Sequence, residues 1–487
     1  MSSDSQTPRR EFLRRCGATV AGGFAFPMIV DRRVLGGAGF VPPSESVRIG
    51  FIGVGRGSDG KGGQGIANLK AIQKEKGAEA VAVCDVDKDH LAKAKTLAES
   101  SGRPCLAFAD YRKLLDDKSI DAVLISTPDH WHALPMIDAC AAGKDVYCEK
   151  PLSLTVAEGK AMVEAARKYK RIVQTGSQQR SDDGFRLTCE LVRSGRLGTI
   201  KTVRTSLPAV NFKGPGVPDS TPPPTLDYQT WLGPAPERHY NEKRVHYLFR
   251  FFWDYSGGQM TNFGAHHLDI AQWALNRDES GPTTIEATAK FQKDGWYEVP
   301  ERSEIVYTYD DGIKVIVEQG GKAGPNVLFE GTKGTIAVSR GNKIESNPAE
   351  IRTMPLKSGD VHLYVSKSHH KNWLDCIQSR ELPICDVAIG HRSATVCHLG
   401  NIAIRTGRKI TWDPKAQEIV GDPEAAAMLA RPYRSPWSLS GPAYLFGSDL
   451  TRESKGGRRQ SESVPRFPRR PRGTLSLRHR PSDPVVL

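Results

Sequence analysis

The chain lacks the material for a disulfide scaffold, a metal knuckle or a membrane bundle. Its nine cysteines are scattered through 487 residues with no CxxC pair and no regular spacing. That excludes a disulfide framework and a zinc ribbon, and it reads as thiols that are mostly free and buried. The apolar run from Cys16 to Val30 is shorter than the ~20 residues that span a bilayer comfortably. Gly17, Gly22, Gly23 and Pro27 further weaken it as a permanent membrane helix. A basic body is also missing. The formal charge is +13, but residues 1–33 carry +3 and residues 441–487 carry +6, leaving +4 for everything between. Nucleic acid is therefore not an expected partner.

What is present starts with a paired arginine. Pro8-Arg9-Arg10-Glu11-Phe12-Leu13-Arg14 precedes that short apolar run, the order of a twin-arginine export leader. The expected partner is the twin-arginine translocation machinery, and the expected location is the periplasm. No clean A-x-A site follows, so a cleaved leader and a retained, membrane-tethering one both stay open. Residues 1–33 read as the signal segment and 34–46 as a linker.

Residues 47–175 alternate apolar runs with amphipathic stretches. VRIGFIGVG, AEAVAVCDV, DAVLIST, DVYCEKP and RIVQTGS read as strands, with helix-like segments between them. This alternation predicts an α/β Rossmann fold, a doubly wound parallel sheet covered on both faces. From 176 to 440 the pattern changes to α+β. TIKTVRTSL, TIEATAKFQ, SEIVYTYD, IKVIVEQG, VLFEG and GTIAVS read as strands of one large mixed or mostly antiparallel sheet, joined in part by turns at Asp311-Gly312 and Lys333-Gly334. Helices are expected at FRLTCELVRSG, from Thr261 to Leu275, and near HHKNWLDCIQS and AIGHRSATVCHLGNIAIRTG. Residues 441–487, rich in Arg, Pro, Gly and Ser, read as a disordered basic tail.

The first strand ends in Gly53-Val54-Gly55, where glycines let backbone N–H groups approach a pyrophosphate. The usual third glycine would fall at position 58, which is Ser58. Glycines continue instead through Gly57 to Gly65, an insertion of about seven residues that hands the helix-packing role to Gly65. Asp85 follows Gly65 by about 20 residues, the separation expected of a ribose-binding carboxylate. A carboxylate repels a 2′-phosphate, so NAD is expected over NADP.

Two further motifs complete the site. Thr127-Pro128-Asp129-His130-Trp131-His132 follows DAVLIST, and Glu149-Lys150-Pro151 ends the next strand. GGQMTNFGAHHLDIAQW runs from Gly257 to Trp273. Together these resemble the Gfo/Idh/MocA family, named for glucose–fructose oxidoreductase and inositol dehydrogenase, over residues 47–440. The resemblance implies an NAD-dependent oxidoreductase acting on CH–OH groups of a sugar, sugar derivative or cyclitol, assembled as a homo-dimer or homo-tetramer. It implies a catalytic Lys150 and His266, with His266 titrating near neutrality and Asp269 orienting it. Asn262 stands where the family's dehydrogenases usually carry Asp. His130 and His132 would line the nicotinamide side with Thr127, Pro128 and Glu149, without binding metal, and His267 and Cys148 read as structural. Gln178, Gln179 and Arg180 could reach sugar hydroxyls, and Trp253, Asp254 and Tyr255 could contact a pyranose ring. Export favours NAD that stays bound and is recycled within each turnover. The other readings are a non-catalytic carbohydrate-binding protein that keeps the fold, and a glycoside-cleaving enzyme that uses transient oxidation.

Overall fold

A computed structural model describes residues 46–439 apart from 56–61, 213, 294 and 323. Gly57, the residues read as an export leader, those read as a linker apart from Ser46, and those read as a basic tail lie outside the described residues.

The first half is a six-stranded sheet in the order β3-β2-β1-β4-β5-β6. Its strands are β1 Val47–Ile52, β2 Ala78–Cys84, β3 Leu106–Phe108, β4 Ala122–Ile125, β5 Asp145–Cys148 and β6 Val173–Thr175. All its pairings are parallel. The chain reverses direction across the sheet between β1 and β4, and open parallel sheets bind ligands at that switch point. Phe51 and Ile52 on β1 are both buried, in two different core clusters, as expected of a central strand covered on two faces. Strand β3 is too short for any periodicity and was not legible in the sequence.

Two helix starts in this half show side-chain caps. Asp87 accepts from the Asp89 and His90 N–H groups at the start of the Lys88–Glu99 helix. Thr155 and Glu158 form a reciprocal capping box on the Val156–Lys168 helix.

The second half is a nine-stranded sheet, β13-β12-β11-β7-β10-β9-β8-β14-β15. It comprises β7 Ile200–Leu207, β8 Thr284–Lys290, β9 Arg302–Thr308, β10 Lys314–Gln319, β11 Val327–Gly331, β12 Gly334–Ser339, β13 Lys343–Asn347, β14 Ile410–Asp413 and β15 Glu418–Val420. Only β7 and β10 pair in parallel; the remaining pairings are antiparallel. Strands β13 to β15 were not anticipated; they are short and extend the two ends of the sheet. Alternate residues of β9 and β10, such as Ile305, Tyr307, Val315 and Val317, are buried on one face. They pack in one core with residues of the Asp183–Arg193, Gly264–Ala274 and Val387–Thr406 helices. The expected Thr261–Leu275 helix is two pieces, Gly258–Asn262 and Gly264–Ala274.

Between β7 and β8 the chain leaves the second sheet and crosses to the first. This excursion, residues 208–256 or the strap, has its own aromatic core of Tyr228, Trp231, Tyr240, Phe249, Phe252 and Tyr255 among others. It is stitched to the nucleotide-binding half. The Lys88 N–H donates to Thr225 O at 2.9 Å and the Asp227 N–H to Val86 O at 3.0 Å. Trp131 Nε1 donates to Trp231 O at 2.9 Å. The Arg380 guanidinium, reaching Asp145 at 2.7 Å, is another tie between the halves. All eight cysteines in the described residues are free and buried. No helix among them is long and apolar enough to cross a membrane.

Candidate active site

A cavity of about 420 Å³ runs along the carboxyl edge of the parallel sheet, from Asp85 at one end to Lys150 and Asn262 at the other. Its floor is the glycine turn. Gly53 has φ +81°, and a Cβ there would meet Thr127 N at 2.6 Å. A Cβ on Gly65 would stand 2.1 Å from Gly53 O, so the helix can approach the turn only because that residue has no side chain. The Asp85 carboxylate is fixed by the Val54 N–H at 2.8 Å and the Asp87 N–H at 2.9 Å. A turn that only glycines can form, ending beside a fixed carboxylate, fits a dinucleotide with a free ribose diol.

At the far end, Glu149 and Lys150 leave β5, and the Lys150–Pro151 peptide is cis. Burial and its neighbours divide their tasks. Glu149 is buried, and its carboxyl is pushed above the usual range by loss of solvent. It accepts from Asn68 Nδ2 at 2.9 Å and from Gln178 Nε2 at 3.3 Å. Lys150 Nζ donates to Asn262 O at 2.9 Å and to Asn262 Oδ1 at 3.1 Å. Burial lowers the Lys150 ammonium to about 8, and the Arg250 and Arg340 cations reinforce the shift against Glu149 and Asp129. An amine that titrates there can both take and give a proton near neutral pH. Asn262 is oriented in turn by its own Nδ2, which donates to Gln259 Oε1 at 3.1 Å.

His266 is buried, and its Nδ1 has no hydrogen-bond partner among the described residues. Burial and then the Lys150 charge hold its pKa well below the ordinary histidine value. The expectation of titration near neutrality therefore fails, and the ring is a neutral base. Asp269 does not orient it. The Asp269 carboxylate accepts from Arg180 Nε at 2.9 Å and from Ser393 Oγ at 2.6 Å.

That pairing also removes Arg180 from the substrate contacts. Arg180 is 1% exposed and spends its fork on Asp269 and Asp278. Its role is to neutralise two carboxylates, Asp269 on the helix that carries His266 and Asp278 just after that helix. Gln179, with its amide turned to suit both neighbours, donates to His266 O at 3.2 Å and accepts from Arg340 Nε at 3.1 Å. Gln178 faces Tyr147 and Glu149 rather than the cavity.

The two imidazoles near Pro128 separate. His132 lines the cavity with Thr127 and Pro128. Its ring nitrogens face Thr127 O at 3.0 Å and Pro151 O at 2.7 Å, which ties the two loops together. His130 lies outside the cavity wall, with Nε2 against Trp231 O at 2.9 Å, and burial lowers its pKa to about 3. His130 is a packing residue under the strap. His267 is likewise structural, with Nδ1 on Ser206 O at 3.0 Å.

Trp253 and Tyr255 are not on the cavity either. Tyr255 is buried against Trp231 and His130, while Trp253 lies under Arg405. The strap residues that do line the cavity are Leu226, Asp227, Thr230, Trp231, His246, Tyr247, Phe249 and Arg250. Sequence reasoning passed over them. The HYLFRF run that holds four of the eight precedes WDYSGG without periodicity, so nothing local marked it as a wall.

Residues 47–177 match the description "Oxidoreductase family, NAD-binding Rossmann fold", and residues 210–439 match "Oxidoreductase family, C-terminal alpha/beta domain". The chain belongs to the Gfo/Idh/MocA oxidoreductase family. Its cofactor is accordingly NAD. A myo-inositol 2-dehydrogenase from Thermotoga maritima is 35% identical over 182 residues, covering 37% of this chain and 48% of the relative. A glycosyl hydrolase family 109 protein from Shewanella sp. strain MR-4 is 33% identical over 181 residues, covering 34% of this chain and 38% of that protein. Each match thus spans half or less of the relative's length. The crystal structure of the WlbA dehydrogenase from Bordetella pertussis, in complex with NADH and UDP-GlcNAcA, superposes with TM-score 0.56 at 20% identity. It covers 76% of this chain and 99% of that one, and the likeness is one of fold.

Proposed function

We propose that this Gfo/Idh/MocA protein transfers hydride between NAD and a hydroxyl-bearing carbon of a sugar, sugar derivative or cyclitol, with Lys150 as the acid–base group. The observation that carries this reading is the buried Lys150 amine at the end of the nucleotide cleft. It titrates at about 8 and is hydrogen-bonded to an amide rather than to a carboxylate. When bound, the nicotinamide supplies the hydride acceptor.

In the oxidation direction neutral Lys150 accepts the hydroxyl proton as the carbonyl forms. In reduction the ammonium donates it. The sign follows: oxidation rises with pH through about 8, where the amine becomes neutral, and reduction falls over the same range. Asn262 orients the amine and cannot take the proton itself. His266, already neutral, offers an acceptor nitrogen for passing a proton onward. A fixed Asp85 carboxylate holds the adenosine ribose and disfavours a 2′-phosphate.

The proposal extends to retention and recycling of NAD in an exported protein. The twin-arginine leader motivates it, because free NAD is not supplied outside the cytoplasm. The hydrogen bonds between the strap and the nucleotide-binding half support it, since they bridge the cleft wall. The family 109 relative favours one particular use of recycled NAD, oxidation-assisted cleavage of a glycosidic bond. Nucleotide released by acid from desalted, purified protein, followed by a panel of cyclitols, free sugars and aryl glycosides, separates these outcomes. Near-stoichiometric NAD and turnover without added NAD support recycling. Empty protein with strict dependence on added NAD leaves a simple dehydrogenase. Absence of any spectral change on the nicotinamide with every substrate class would sink the enzymatic reading and leave a binding protein.

A further inference from the structure

The strap brings a second set of chemistry-bearing residues to the opposite end of the cavity from Lys150. Asp87 and His90 open the Lys88–Glu99 helix of the nucleotide-binding half, and His246 arrives from the strap. One ligand-capable atom from each lies within 4.8 Å of the other two. His90 Nδ1 is 4.0 Å from Asp87 Oδ2 and 3.8 Å from Asp85 Oδ1. The two imidazoles meet edge to face, with centroids 5.0 Å apart.

We propose that Asp87, His90 and His246 form a binding site for one divalent transition metal of the zinc class, which fastens the strap to the nucleotide-binding half. Tetrahedral ligands at bond lengths of about 2.1 Å stand about 3.4 Å apart, so atoms within 4.8 Å of one another need to draw in by up to about 1.4 Å. The carboxylate is already oriented for the task. Asp87 Oδ1 accepts from the Asp89 N–H at 2.9 Å and the His90 N–H at 3.3 Å, which leaves Oδ2 facing the imidazole. Hydrogen bonds that fix a ligating carboxylate in this way are part of how metal sites are tuned. Asp87 and His90 are buried whereas His246 is half-exposed. The fourth position is therefore open to water, with Asp85 beside it.

Two imidazoles and one carboxylate suit zinc, copper, nickel or cobalt rather than calcium or magnesium, which prefer all-oxygen sites. His246 also sits at φ +51°, the left-handed region that few residues other than glycine adopt. The backbone there turns the ring back toward His90 rather than away from it. The physical consequence is a cross-link. A metal bonded to both halves would hold the strap closed over the adenosine end of the cleft. The site stands independently of whether NAD is recycled, because its test reads metal and not turnover.

The test uses the purified full chain, stripped with chelator and titrated with Co²⁺, with Zn²⁺ binding measured in parallel by equilibrium dialysis. The expected result is one Co²⁺ per chain with the visible ligand-field bands of four-coordinate cobalt. His246→Ala and His90→Ala are each expected to weaken binding by at least about tenfold. His362→Ala, an exposed histidine elsewhere, should leave it unchanged. No stoichiometric Co²⁺ binding by the wild type overturns the proposal, as does undiminished binding in either of the first two variants. If the wild type takes no Co²⁺ and His246→Ala speeds nucleotide release, the cluster is a nucleotide contact and the metal site is refuted.

Discussion

The two walls of the cavity are built on opposite plans. The wall from the parallel sheet is made of backbone and fixed charge: a glycine turn, the Asp85 carboxylate, and Lys150 at a strand end. The wall from the strap is made of large side chains without a sheet or long helix beneath them, held by an aromatic core of their own. The first wall is positioned by strand pairing that the whole sheet supports. The second depends on a few hydrogen bonds and the packing of rings. Chemistry that needs a proton placed to a fraction of an ångström belongs on the first, and retention or exclusion belongs on the second.

The largest effect that sharpens this contrast is expected at Lys150. Lys150→Ala should lower kcat by about 10²–10⁴-fold while the far-ultraviolet circular dichroism and melting temperature stay close to wild type. A loss of fold in step with activity would mean that the lysine supports structure instead. Trp231→Ala attacks the other wall. It removes a buried indole from the strap core and should destabilise by about 3–5 kcal/mol. Denaturant unfolding monitored beside nucleotide release should show faster release even under conditions where the parallel sheet stays folded. Equal loss throughout would mean that strap and sheet are one cooperative unit.

Smaller effects test whether both walls act on the same amine. Asn262→Asp places a carboxylate where Lys150 now meets an amide, and an anion there favours the ammonium. The limb of the pH–rate profile near 8 should move up by about 1 unit. Arg250→Ala removes a strap cation that now pushes the same pKa down. Its limb should move up too, by less, because Arg250 ranks behind burial and Glu149 among the influences on Lys150. An unchanged profile in both variants would detach that limb from Lys150.

Much of the first wall was legible in the sequence. Glycines after a Val/Ile strand, an acid at the next strand end and Glu149-Lys150-Pro151 are local signals, and Gly53, Gly55, Gly65, Asp85, Glu149 and Lys150 all line the cavity. The shift of the third glycine to Gly65 could be read from spacing, and the 2.1 Å approach to Gly53 O gives its reason. The polar residues read as substrate contacts fared differently. Arg180, read as reaching a sugar hydroxyl, and Asp269, read as orienting His266, instead neutralise each other in the core. Trp253 and Tyr255 carried the right residue types but face away from the cavity, and the true aromatic wall lay a few residues earlier in an aperiodic segment. Spacing along a chain cannot report which buried charge meets which.

The sequence by itself determined the doubly wound nucleotide half, the family, and the lysine at the strand end. These depend on contacts between neighbours in the chain and on strand–helix periodicity. Tertiary structure alone decided that His266 is neutral, that Lys150 titrates at about 8, and that the strap closes the second wall. Those outcomes follow from desolvation and from charges drawn together by folding. Neither exists until segments distant in sequence have removed the water between them.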